Sequence, residues 1–161
     1  MKNKDKELLL ECLRAMLPYN VECLITYECH KEIRQLKGIQ IDNDGEVIYN
    51  FGKVCVLHNY LPLDLYSSEV KPCLRPISTI SDEEIRELSK YVNTTIKYNK
   101  SSGIFFASNT IYDWQKAIKW LNKKHFDTFG AVERGIAIEF IEDINGNNRT
   151  YFENGKVIIF D

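Results

Sequence analysis

The sequence has few histidines, no dominant charge and no long hydrophobic run, and each shortage removes a class of function. Three histidines among 161 residues make most familiar hydrolytic sites hard to assemble. Lys plus Arg number 21 against 23 Asp plus Glu. No global field therefore draws in nucleic acid or an anionic membrane, and such binding has to come from a local patch. No apolar run approaches the ~20 residues that span a bilayer. There is no P-loop, no Gly-x-Gly-x-x-Gly turn, no Gly-x-Ser-x-Gly elbow and no His-Glu-x-x-His. Met1 to Lys6 is polar, and Leu8-Leu9-Leu10 is too short for the apolar part of a signal peptide. The five cysteines, Cys12, Cys23, Cys29, Cys55 and Cys73, are odd in number. Free thiols in a reducing cytoplasm are the expectation.

What is present suits a globular α+β chain. Nine Tyr and eight Phe argue against disorder. At this length about two thirds of the unfolded surface can be buried without staples. Leu9, Cys12, Leu13 and Met16 share one helical face, and Pro18 ends that helix. The period then becomes two: Val21, Cys23, Ile25 and Tyr27, then Ile39 and Ile41, then Val47, Tyr49 and Phe51 after Asn43-Asp44-Gly45. With Val54 to Leu57 these predict a small antiparallel meander over about 20–58. Pro62, Pro72 and Pro76 speak against a continuous central strand over 59–80.

Ser81-Asp82-Glu83-Glu84 is a capping box, with Ile80 and Ile85 placed as a hydrophobic staple. The helix it opens carries Ile85, Leu88 and Val92 on one side. A hairpin is expected from Thr94–Tyr98 and Ile104–Ala107 around Lys100-Ser101-Ser102-Gly103. A third helix follows over about 111–124, with Trp114, Ala117, Ile118 and Leu121 inward. Ile136–Ile141 reads as a strand, and Asn154-Gly155 as the turn of a C-terminal hairpin. Nothing demands a domain boundary. The expectation is one α+β domain over 1–161, a small meander packed with about three helices, with 142–161 as a hairpin extension.

Four groups of residues bear on chemistry. His125 continues the third helix onto its apolar stripe, four residues after Leu121, and with Asp127 can form an acid–base pair. Its alternative role is a helix C-cap, and the absence of a nucleophile at a recognisable spacing favours that role. Cys23, Cys29, His30, Cys55 and His58 include zinc-ligand types, but Cys-x5-Cys-His and Cys-x2-His are not the paired knuckles of a structural site. As a strand residue Cys23 shares a face with Val21 and Ile25 and suits the core. No metal and no cofactor is expected. Tyr112, Lys116, Lys119 and Lys123 align on a helical wheel with Trp120 at the edge, away from the inward stripe. That basic aromatic stripe fits an acidic protein surface or phosphates and bases, against the alternative of a solvated helix back. In Lys71-Pro72-Cys73-Leu74-Arg75-Pro76 the prolines fix an extended path that displays Lys71 and Arg75. Arg75 is the better fork for an anion, and a surface connector is the plainer role.

Leu17-Pro18-Tyr19, Lys71-Pro72-Cys73-Leu74-Arg75-Pro76, and His125-Phe126-Asp127-Thr128-Phe129-Gly130 leading to Glu133-Arg134-Gly135-Ile136-Ala137-Ile138 occur in that order. As an ordered set over about residues 10–138 they resemble an uncharacterised family of small proteins from Bacteroides-type bacteria and their phages and prophages. The hairpin after residue 141 is an addition to that family's pattern. The resemblance implies a phage or mobile-element accessory protein in the cytoplasm of a bacterial host, and brings no activity or cofactor. The leading expectation is a non-enzymatic macromolecule-binding protein using Tyr112, Lys116, Lys119, Trp120, Lys123 and Arg75. A protein partner is favoured, nucleic acid is the second choice, and no membrane is involved. The alternatives are a small enzyme or metal protein built on His125/Asp127 or Cys/His ligands, and a virion or assembly component.

Overall fold

The computed structural model describes residues 3–27, 30–41, 43, 47–52, 69–108, 113–143 and 148–160. Helix α1 (Asn3–Met16) buries Leu9, Cys12, Leu13 and Met16, the four residues of its apolar face. Pro18 cannot continue an α-helix, so the chain tightens into a 3-10 turn over Leu17–Tyr19 and reverses at Asn20, whose φ is 58°. Three sheets follow. The largest has six strands in the order β10-β9-β8-β5-β1-β2. Its members are β1 (Glu22–Tyr27), β2 (His30–Gln35), β5 (Glu69–Leu74), β8 (Ile138–Glu142), β9 (Arg149–Glu153) and β10 (Lys156–Val157). Strands β3 (Gly38–Ile41) and β4 (Val47–Asn50) form one hairpin, β6 (Ile96–Asn99) and β7 (Ile104–Ala107) another. The remaining helices are α2 (Asp82–Val92) and α3 (Trp114–Lys123). The α+β class, the three helices and the C-terminal hairpin are those the sequence predicts.

The alternation of β1 decides the layering. Val21, Cys23 and Ile25 are buried against α1 together with Val70 and Leu74. Leu24 points the other way and packs with Cys73, Ile138 and Phe140. Where the sequence pattern suggests one run of meander, β1 and β2 pair inside the large sheet while β3 and β4 pair apart from it. The run Val54–Leu57 and the Asp44-Gly45 pair of the expected turn lie outside the described residues. No strand runs on through Pro76, and Pro62 lies outside the described residues, but one central strand does include a proline: β5 contains Pro72 and lies between β1 and β8. Its parallel pairing with β8 starts at Cys73, one residue past the proline, so Pro72 faces only one ladder.

Between β5 and β8 the chain builds a second core. Ile80, Leu88, Val92, Ile96, Ala117, Trp120, Leu121 and Phe126 pack together from α2, β6 and α3. Ser81 caps α2 with the full capping box: its hydroxyl accepts from the Glu84 amide, and the Glu84 carboxylate accepts from the Ser81 amide at 3.0 Å. The root of this unit is a single parallel bridge, Arg75 to Phe126. The Arg75 amide donates to the His125 carbonyl and the Asp127 amide to the Arg75 carbonyl, each at 2.8 Å. The Arg75 guanidinium forks onto Glu84 at 2.7 and 3.2 Å and lies 4.3 Å from the centre of the Phe126 ring.

Arg75→Ala leaves a half-buried Glu84 carboxylate without its cation, and should cost about 3 kcal/mol in urea unfolding. Burial works against the Glu84 charge, but hydrogen bonds from Arg75 and Ser81 outweigh it and hold the carboxyl below its usual range. The sign follows from linkage. This stabilisation is fully present above the unfolded carboxylate value, roughly 4.3. It is lost as pH falls through the lower folded value. Glu84→Gln should therefore flatten the acid limb of a stability–pH profile, and an unchanged limb counts against the assignment.

Candidate functional site

The segment His125–Gly130 sits where α1, β5 and α3 meet, and each side chain has a partner there. α3 does not continue through His125. It ends at Lys123, and His125 takes the left-handed conformation with φ 60°. The Phe126 amide reaches back to the Leu121 carbonyl and the His125 amide to that of Asn122, a closure usually given to glycine. In exchange the His125 ring comes 2.8 Å from the Tyr19 carbonyl through Nε2, which donates, and tethers the turn after α1. Phe126 is fully buried and stacks on Trp120.

Asp127 is buried and accepts three backbone hydrogen bonds. Its Oδ1 takes the amides of Phe129 at 3.2 Å and Ala131 at 3.0 Å, and its Oδ2 takes that of Val132 at 2.9 Å. The Thr128 hydroxyl donates to the side chain of buried Asn122 at 2.7 Å. Gly130 supplies a φ of 66°. The two candidate acid–base residues thus turn to different partners, His125 to a carbonyl and Asp127 to amides.

Arg75 is likewise engaged, not displayed. It is one link in a row of charges across the sheet face opposite α1. Glu142 lies 3.8 Å from Arg75 and 2.8 Å from Arg149, and Arg149 reaches Glu22 at 2.7 Å. The Tyr151 hydroxyl donates to Glu22 at 2.9 Å. Burial, and then that bond to a carboxylate, push the Tyr151 phenol well above its ordinary range. Lys71 pairs with Glu153, which also takes Lys31. A cavity of about 100 Å³ beside Lys71, Glu139 and Glu153 is well below the ~300 Å³ of a small-molecule pocket.

Among the described residues the thiols give no ligand set. Cys12, Cys23 and Cys73 are buried. Burial, then the nearby Asp127 carboxylate, push the Cys12 thiol up to about 12, and burial raises Cys23 and Cys73 as well. Thiols raised in this way are poor nucleophiles and poor ligands. Among the described residues no group of three or more His, Cys, Asp or Glu is placed to hold a metal ion. Cys29, Cys55, His58 and the side chain of His30 lie outside the described residues, as does Tyr112.

On α3 the structure reverses one expectation. Trp120 is 7% exposed, buried in the second core, whereas Trp114 is 49% and Ile118 43% exposed. Ala117 and Leu121 are buried as expected. The periodicity that put Trp114 and Ile118 inward is overridden, because Trp120 flanks the same central pair at helical spacing on its other side. The choice is made from outside the helix. Phe126, folded back by the His125 turn, stacks on Trp120, and the Lys124 ammonium lies 5.4 Å from the Trp120 ring centre. The outward arc of α3 then runs from Trp114 and Ile118 through Lys119 to Lys123 and Lys116, all exposed. Lys116 pairs with the N-cap Asp113 at 3.4 Å. Lys119 and Lys123 make no ion pair among the described residues.

His125→Ala keeps the left-handed strain and loses the Tyr19 bond, so it should cost about 1–2 kcal/mol. His125→Gly loses the same bond but relieves the strain, and should be the milder of the two in thermal unfolding. A catalytic imidazole predicts no such order. Asp127→Ala strips three amides of their acceptor and should cost about 3 kcal/mol.

No family model, no curated protein and no solved structure matches this chain.

Proposed function

We propose that this chain is a non-enzymatic binding protein of phage or prophage origin, working in the host cytoplasm and docking an acidic protein surface on the outward arc of α3. The observation that carries this is the exposed side of α3: a half-exposed Trp114 with Ile118 one turn on, and Lys119 and Lys123 farther round the helix from them. An exposed tryptophan next to an aliphatic side chain is an anchor that interfaces favour, and lysines without an ion pair among the described residues select an acidic partner. The engagement of His125, Asp127 and Arg75 within the fold supports a binding role over a catalytic one. The resemblance of the ordered motifs to an uncharacterised family of small Bacteroides-type, phage and prophage proteins is what suggests the setting. Among the described residues no helix is long and apolar enough to cross a membrane.

Nucleic acid is the second reading, because the same tryptophan and lysines suit bases and phosphates. It is disfavoured by the charge balance of the chain, 21 Lys plus Arg against 23 Asp plus Glu, which supplies no field for a polyanion beyond the arc itself.

Capture from host lysate should yield an acidic protein whose affinity falls at least about tenfold in Lys119→Glu/Lys123→Glu and in Trp114→Ala. The lysine changes lie on exposed positions and should leave the melting temperature unchanged, and the Trp114 variant is compared at a temperature where circular dichroism shows it folded. Capture of the same protein by both variants at wild-type affinity rejects the surface. Salt-sensitive binding of a single-stranded oligonucleotide, lost in the same variants, replaces the protein partner by nucleic acid.

A further inference from the structure

The apolar cores on the two faces of the large sheet are coupled through shared strands. Cys23, Ile25, Val70 and Leu74 bury one face of β1 and β5, and Leu24 and Cys73 bury the other. Side chains alternate along a strand, so one face is not lost without the strands that carry the other. The second core shares no strand with them. Every described apolar residue packed in it, buried or half-buried, falls between Ile77 and Phe126 in sequence. Its strands, β6 and β7, pair with each other apart from the large sheet, and α2 and α3 cover them. One stretch of chain therefore supplies a complete core. Residues 76–126 also exceed the ~40 below which a chain needs staples to fold.

The links that join this stretch to the rest gather at its root. The bridge between Arg75 and Phe126 brings its two ends together. The Arg75 fork on Glu84 lies beside that bridge, with the guanidinium over the Phe126 ring. His125 reaches the Tyr19 carbonyl at 2.8 Å and stands edge-on to Phe140 at 6.5 Å. The Thr128 hydroxyl donates to Asn122 at 2.7 Å. These are polar and aromatic contacts near one point, not a shared apolar surface. Parts of a chain joined in that way keep separate cooperativity, and the less stable part opens first.

We infer that residues 76–126 are a second cooperative unit, which opens while the sheet stays folded, with Arg75 as its latch. The consequence for α3 rests on the binding reading given above. Trp114, Ile118, Lys119 and Lys123 all lie in this unit. Their surface is therefore presented or lost with the latch, and not with the sheet.

The chain carries its own probes for this. Both tryptophans, Trp114 and Trp120, lie inside the unit, and all five cysteines lie outside it. In a urea series on the full chain, tryptophan emission reports the unit. Labelling of Cys12, Cys23 and Cys73, followed by peptide mapping, reports the cores on the sheet, where these thiols are buried. The tryptophan transition should come first, with an opening constant at least about tenfold that of the sheet. Arg75→Lys keeps the charge and loses the fork and the stack. It should raise the opening constant of the unit roughly tenfold. The thiol transition should stay in place, because the latch is already open when those thiols are exposed. Ile25→Val removes one buried methyl from the sheet and should do the reverse, moving the thiol transition and not the tryptophan one. Coincident transitions in the wild-type chain overturn the proposal. So do thiols exposed before the tryptophans, or a substitution that moves both probes. None of these outcomes depends on capture of a partner, whose loss in the lysine and Trp114 variants tests the α3 surface by itself.

Discussion

Arg75 joins two cores through its backbone and its side chain at once. Its amide and carbonyl bracket Phe126 in a one-residue parallel bridge. Its guanidinium then lies over the Phe126 ring and forks onto Glu84 in the first turn of α2. The chain leaves the large sheet at Arg75 and returns at Phe126, so everything between them hangs from this contact. A lysine does not reproduce it, because the planar fork both stacks and bonds. The capping box has a second purpose in this light. Glu84 closes α2 on Ser81 and also receives Arg75, so one carboxylate fixes both where the helix starts and how it is attached.

The same economy governs the other polar groups. Asp127 fixes the path back toward β8 by accepting three amides, and His125 tethers the turn after α1. A left-handed histidine costs about 1–2 kcal/mol over a glycine, and the Tyr19 bond and the burial of Phe126 offset it. Glu22, Arg149 and Glu142 extend the row of charges from Arg75 across β1, β9 and β8. Among the described residues no buried side-chain nitrogen or oxygen lacks a partner. The groups named here are engaged within the fold.

What the sequence made legible is local. The capping box of α2, the apolar face of α1, the β6–β7 pair and the Asn154-Gly155 turn each depend on neighbours within a few residues, and each formed as expected. What it concealed depends on remote partners. β2 is an edge strand whose Lys31, Glu32 and Arg34 hide its period, and only pairing with β1 makes it a strand. Pro72 reads as a breaker until β8 is known to begin one residue later. The motif around His125 was conspicuous, yet its roles required Tyr19, Arg75 and Val132, none adjacent in sequence. The wheel put Trp114 inward and Trp120 outward, and the stacking of Phe126 on Trp120 reversed the two. The exposed tryptophan is therefore a product of tertiary packing, one step beyond what periodicity encodes.

Arg75 also decides how α3 is held relative to the sheet. Two backbone bonds, a bidentate ion pair and a stacked ring converge within one residue of the point where the inserted unit is attached. Each contact alone is modest, but they share one side chain and one peptide unit, so loosening any of them loosens the rest. The orientation of the outward side of α3 therefore depends on a residue that lies in neither α3 nor α2, and a change at Arg75 acts on that surface without touching it.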